Sequence, residues 1–152
     1  MSWDDLIAKW DGRQNLKRKL YNMAGTGANW DTFTDPTNIV ASQADSRYWE
    51  RQGIWYPAQA VPMGGSVNKG VAEHLRLLDE KPVDMEWAGI YYSQSGIVAY
   101  KVFKAIQGTR HAETLTAMII FGPPCREKNV ANGNKWAGME MPAKDTRGIS
   151  DE

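Results

Sequence analysis

The side chains able to do chemistry are few. Two histidines, His74 and His111, and one cysteine, Cys125, are the candidates for acid–base or nucleophilic work in a chain of 152 residues. Neither histidine has a histidine, cysteine or carboxylate at metal-ligand spacing, so no metal site is indicated. His74 falls on an apolar helical stretch and His111 beside a turn, and both read as structural or surface histidines. Cys125 follows Pro123-Pro124 in a loop, without an identifiable base to generate a thiolate. Gly25-Thr26-Gly27 resembles half of a phosphate-binding loop, but it lacks the Lys-Ser/Thr ending and is read as following a helix rather than a strand, which makes it a helix stop. The paired acids Asp4-Asp5 and Asp79-Glu80 stand at a helix start and a helix end, where dipole complementarity and solvation account for them. This inventory predicts a protein that is not an enzyme and takes no cofactor or metal.

Aromatic side chains are the richer resource. Seven tryptophans exceed what core filling needs, because an indole N–H wants a partner and the ring is favoured where one edge stays wet. Flat aromatic rings bind proline-rich peptides as preformed polyproline II helices, and Trp3, Trp49 and Trp136 could form such a platform. Arg13, Lys17, Arg18 and Lys19 form the polar face of a basic helix, and Lys101 and Lys104 lie on a later strand; these positions suit an acidic protein or a phosphoinositide headgroup.

The length suits a single domain, here 1–152. Eighteen basic residues balance eighteen acidic ones, so no global field draws the chain to nucleic acid. No apolar run reaches the roughly 20 residues of a membrane span, acids occupy the start where a signal peptide has bases, and the lone cysteine suits a reducing compartment. A cytoplasmic monomer is expected.

The patterning predicts a short helix carrying Trp3, Leu6, Ile7 and Trp10, then a basic helix through Leu16, Leu20 and Tyr21 that ends near Gly25. Residues 13–37 read as an insertion with a mobile loop. Two short strands, Asn38 to Ser42 and Arg47 to Tyr56, would form a hairpin. A helix capped by Ser66 would carry Val67, Val71, Leu75 and Leu78. Trp87 to Tyr92, Ile97 to Ile106 and Glu113 to Phe121, joined by turns at Ser93 to Gly96 and Gln107 to Thr109, read as a three-stranded antiparallel meander. A weakly ordered tail is expected from about residue 143. The fold class is α+β, a central antiparallel sheet flanked by helices, with an all-β sandwich as the alternative.

This order of features resembles the profilin family in a divergent form, of archaeal or protist type. Met1-Ser2-Trp3 on a short helix looks like the family's start, Asn38-Ile39-Val40 leading to Tyr48-Trp49 is similar to its first hairpin, and Val67 to Leu78 followed by Gly89-Ile90-Tyr91-Tyr92 and Val98 to Lys104 looks like its second helix and glycine-led hairpin. The resemblance implies an actin-monomer-binding regulator of the cytoskeleton whose terminal helices bind proline-rich peptides through Trp3, Trp49 and Trp136. It places Lys101, Lys104 and Arg110 on a face for actin, or an actin-like protein, and phosphoinositides. Leu6 departs from the tyrosine of many members. Two other readings compete: a membrane-active β-sandwich of the actinoporin type, from the Phe121-Gly122-Pro123-Pro124 step, and a structural or assembly protein that hides its tryptophans in subunit contacts.

Overall fold

The computed structural model describes residues 2–4, 17–124, 135–136 and 139–140. Its centre is a four-stranded sheet in the order β2-β1-β3-β4, with β1 Arg18–Met23, β2 Trp49–Gly53, β3 Trp87–Tyr92 and β4 Leu115–Phe121. All three pairings are parallel, with Arg18 opposite Trp49, Lys19 opposite Trp87, and Trp87 opposite Leu115. The helices are α1 Pro36–Ser42, α2 Met63–Glu80, α3 Gln94–Ala105 and the single turn α4 Arg110–Glu113. A two-residue hairpin, β5 Lys135–Trp136 with β6 Met139–Glu140, forms a separate antiparallel pair.

An antiparallel profilin-like sheet is therefore ruled out, as is the all-β sandwich, and the reasons are local. Leu20, Tyr21, Asn22 and Met23 are all buried, so the stretch read as a basic helix is a central strand covered on both faces. The stretch from Asn38 to Ser42, expected as a strand, belongs to α1. Asp35 caps this helix by accepting from the Thr37 N–H at 2.9 Å, and Pro36 opens its first turn. The β-branched run after Gly96 is helix α3, not the second strand of a meander. Val98, Val102 and Ile106 are buried at i, i+4 and i+8, which is helical spacing that outweighs the strand propensity of Ile and Val. The helix through Val67 to Leu78, the strand Trp87 to Tyr92 and the turn at Gln107 to Thr109 lie where they were expected, but the helix starts at Met63 and not at a Ser66 cap, and the strand expected over Glu113 to Phe121 begins only at Leu115, with Glu113 in α4.

Side-chain alternation divides the core into two layers. Tyr21, Met23, Trp87 and Tyr91 join Val67, Leu78, Val98 and Val102 on the face covered by α2 and α3. Leu20, Ala88 and Ile90 join Ala41 of α1 on the other face. Strand order reverses between β1 and β3, because the chain runs outward from β1 to β2 and then crosses to the far side. In an open parallel sheet, that switch point opens a crevice at the carboxyl ends of the strands.

Candidate active site

Ser93 stands in that crevice. It is the single residue between the end of β3 and the first turn of α3, and its backbone is at φ 52° and ψ −118°. A non-glycine residue holds such a conformation only where the surrounding structure forces it. Here the Ser93 N–H donates to the Phe121 carbonyl of β4 at 3.0 Å, and the Gly96 N–H donates back to the Ser93 carbonyl at 2.8 Å. A sharp strand–serine–helix turn of this kind is the nucleophile elbow of serine hydrolases, which lifts the hydroxyl off the top of the sheet.

The elbow motif usually has glycine two residues before and two residues after the serine. This chain has Tyr91 and Ser95, and the structure shows how each is accommodated. The Tyr91 side chain folds back along its own strand over Gly89, where an added Cβ would lie 2.1 Å from the Tyr91 hydroxyl. That hydroxyl sits 2.6 Å from Nε2 of His74, within an aromatic cluster of Tyr21, His74, Trp87 and Tyr91. Ser95 is fully buried. Its hydroxyl accepts from the Tyr92 N–H at 2.8 Å and donates to the Met23 carbonyl at 2.7 Å, which stitches the elbow to the end of β1.

The Gly25-Thr26-Gly27 turn follows directly from β1. It therefore follows a strand, contrary to the helix-stop reading. A Cβ on Gly25 would come within 2.6 Å of the Tyr92 ring, so glycine is what lets the turn approach the residue next to Ser93. The turn is held by the Gly25 N–H to Asp35 Oδ2 at 3.0 Å, the Gly27 N–H to the Ala58 carbonyl at 2.8 Å and the Ala28 N–H to the Gly25 carbonyl at 3.2 Å. Among the described residues, this leaves the Thr26 N–H as the one backbone donor of the turn without an acceptor. The Gln94 N–H opens α3 and has no carbonyl a turn earlier in the helix. An oxyanion hole is built from such a pair: the N–H after the nucleophile and an N–H from a facing strand–helix loop. The Gln94 side chain braces the arrangement. Its Nε2 donates to the Gln59 carbonyl at 2.7 Å and its Oε1 accepts from Ser66 Oγ at 3.1 Å.

Among the described residues, no base completes the set. Among the described residues, no side chain is hydrogen-bonded to Ser93 Oγ. His74 is buried behind the sheet, where burial pushes its imidazole down to about 4. His111 lies at the opposite, amino end of the strands, with Nε2 2.9 Å from Asp79 Oδ1 and its carbonyl accepting from the Trp87 indole at 2.8 Å. The sequence has only these two histidines.

The described residues singled out from the sequence lie on several separate elements. Trp3 is exposed, and Trp49 is half-buried in β2 with the Arg18 guanidinium 5.8 Å from its ring centre. Trp136 belongs to β5. Arg13 and Cys125 lie outside the described residues. Lys17 is exposed, Arg18 pairs with Glu86, and Lys19 pairs with Glu50 at 2.6 Å, the last two from strand β1 and not from a basic helix. Lys101 and Lys104 lie on α3, the latter 5.4 Å from the Tyr100 ring centre. Arg110 pairs with Asp84 and Glu113, both at 2.6 Å. Among the described residues, no group of three His, Cys, Asp or Glu side chains is placed to hold a metal ion.

A parallel sheet with a strained serine at its switch point defines the class as an α/β fold of the serine-hydrolase kind. Comparison with known proteins agrees. The chain is 34% identical over 128 residues to endolysin B of Mycobacterium phage L5 and to endolysin B of Mycobacterium phage D29, a match that covers 77% of this chain and 49% of each relative. It thus spans about half the length of these curated relatives. The crystal structure of lysin B from mycobacteriophage D29 superposes with a TM-score of 0.60 at 33% identity, over 79% of this chain and 51% of that one. An acetyl xylan esterase (TM-score 0.57, 17% identity, 74% of this chain and 66% of that one) and a cutinase-like protein from Cryptococcus sp. (TM-score 0.58, 13% identity, 89% and 73%) share the fold. No protein-family model matches the chain.

These findings correct the sequence reading on several points. The relatives are hydrolytic proteins and not profilins, so the resemblance to profilin does not hold. With it go the actin-binding, cytoskeletal role, the proline-rich and phosphoinositide partners and the expectation of a non-catalytic domain. The membrane-active sandwich is excluded by the parallel sheet.

Proposed function

We propose that this chain carries the nucleophile half of an ester hydrolase of the phage endolysin B kind, with Ser93 as the nucleophile. The observation that carries the reading is the backbone of Ser93, strained at φ 52° between a parallel strand and a helix. Ser93 Oγ would attack the ester carbonyl carbon as a base takes its proton. The developing oxyanion would sit between the Gln94 and Thr26 N–H groups, and collapse would break the C–O bond as the base returns the proton to the leaving alcohol. Water attacking the acyl-serine would then release the acid.

An ester is favoured over a polar substrate by the rim of the crevice. Phe33, on the loop after β1, and Val61, on the loop after β2, are 84% and 87% exposed, and Trp30 and Trp55 in the same loops are also exposed. Loops at the carboxyl ends of the strands that offer apolar side chains to solvent suit a fatty acyl group. The test is reaction of the folded chain with a fluorophosphonate probe, which modifies an activated serine covalently. Labelling that is lost in Ser93→Ala supports the reading. Equal labelling of the variant contradicts it.

A further inference from the structure

Building on the nucleophile reading, we infer that Arg51 is a positioning residue for the reaction of Ser93: through Asn22 and Asn38 it clamps the loop after β1, which keeps the Thr26 N–H aimed into the crevice. Arg51 lies on β2, which β1 separates from β3 by roughly 10 Å across the sheet, and its guanidinium is committed to the loop rather than to the serine. Nε donates to Asn22 Oδ1 at 3.1 Å, and Nη2 donates to Asn38 Oδ1 at 3.0 Å and to the Trp30 carbonyl at 3.4 Å. Asn22 Nδ2 donates to the same Asn38 oxygen at 2.5 Å. Asn38 Nδ2 then donates to the Asn29 carbonyl at 3.0 Å and to the Thr32 carbonyl at 2.8 Å. The carbonyls of Asn29, Trp30 and Thr32 thus end on one network rooted in β1, β2 and α1.

Asn22 and Asn38 are buried beside Leu20 and Ala41, in a layer that apolar side chains could have filled. Buried polar groups are costly unless they are satisfied, and the function these asparagines add is to hold the carbonyls of an irregular loop. β2 is shaped for the same loop, since a Cβ on Gly53 would come within 2.5 Å of Trp30 Cβ. Thr26 sits between the anchored parts. The Ala28 N–H closes on the Gly25 carbonyl at 3.2 Å with Gly27 at φ 76°, which is a type II turn with Thr26 at its second position. Asp35 holds the turn at the Gly25 N–H, and the Asn29 to Thr32 carbonyls are fixed just beyond it. A donor fixed in advance needs no reorganisation when charge develops on the oxyanion, whereas a misplacement of about 1 Å can cost roughly 10²-fold in rate.

The test is the rate of fluorophosphonate labelling in a double-mutant cycle, with Ser93→Ala as the blank. In this probe the phosphoryl oxygen takes the oxyanion's place while Ser93 Oγ bonds to phosphorus and fluoride leaves. Thr26→Pro deletes the N–H at a turn position that accepts proline, and should slow labelling roughly 10²- to 10³-fold. Arg51→Met keeps the aliphatic stem, removes the guanidinium and should slow labelling roughly 10- to 100-fold. Arg47→Met, at an exposed arginine paired with Asp45, should leave the rate unchanged. The decisive reading is the double variant, in which Arg51→Met should add little to Thr26→Pro, because the donor it positions is gone. An unchanged rate in Arg51→Met, or fully additive effects in the double variant, overturns the proposal. Backbone amide order parameters over residues 26–34 are measured alongside. Order lost in Arg51→Met and kept in Arg47→Met is expected, and a loop equally ordered in Arg51→Met overturns the clamp. Absence of labelling in the unsubstituted chain is a different failure, which defeats the nucleophile reading and the positioning role with it.

Discussion

At the amino end of the sheet the polar side chains are closed on one another. Arg18 meets Glu86, Arg110 bridges Asp84 and Glu113, His111 meets Asp79, and the Trp87 indole donates to the His111 carbonyl. At the carboxyl end the backbone holds positive φ at Ser93 and Ala58, the Thr26 and Gln94 N–H groups have no acceptor among the described residues, and apolar side chains face solvent. One end is arranged to hold the strands together and the other to leave donors unfilled, which costs stability and makes sense where a ligand is to bind. The same parallel strands therefore close their polar groups at one end and leave donors open at the other.

That contrast can be broken at its strongest point first. Ser93→Ala should abolish fluorophosphonate labelling. Ser93→Gly should do the same while stabilising the fold by about 1–3 kcal/mol, because glycine relieves the strain, and thermal unfolding would register it. A serine that lost labelling and stability together would be structural.

Behind the sheet, His74 predicts a pH dependence. The folded chain holds it neutral down to about 4, against an ordinary value of 6.5, because burial disfavours the charged form. Between those values the unfolded chain binds a proton that the folded chain does not. Stability is therefore complete above about pH 6.5, falls as the pH drops and levels off near pH 4, a loss on the order of 3 kcal/mol. Urea unfolding at pH 7.5 and 4.5 would show it, and His74→Leu should remove that component. An unchanged slope in the variant would assign the acid sensitivity elsewhere.

Ser95→Ala sharpens the comparison further. It removes the hydroxyl that joins the Tyr92 N–H to the Met23 carbonyl, and should cost about 1–3 kcal/mol and slow Ser93 labelling. Stability loss with an unchanged labelling rate would make Ser95 a core residue and not a positioning one. At the other end, Asp79→Ala should alter stability by at most about 1 kcal/mol, since its carboxylate is exposed, and leave labelling untouched.

Much of the element content was legible in the sequence: helix α2, strands β3 and β4 and the turn at Gly108 follow from patterning. Direction was not. A strand buried on both faces shows no regular alternation, and in Leu20 to Met23 the polar Asn22 breaks even the continuous apolar run that would mark a parallel strand, while the basic residues before it suggested a helix face. Misreading α3 as a strand then turned the elbow into a hairpin turn. The site was hidden for a related reason. The flanking glycines that advertise an elbow are absent, and the space they would free is provided by Gly89 under Tyr91 and by Gly25 opposite Tyr92, contacts that exist only in three dimensions. What the sequence did offer was Gly25-Thr26-Gly27 and Ser93-Gln94-Ser95-Gly96, each placed just after a strand. Recognising β1 as a strand would have joined them.

The most direct measurement is the site of covalent modification. The chain is treated with a fluorophosphonate, digested, and the modified peptide sequenced by mass spectrometry. Adduct on Ser93 alone, with Ser95 and the other serines unmodified, is the predicted result. Modification elsewhere, or none in a folded chain, would contradict the claim that this sheet presents a nucleophile.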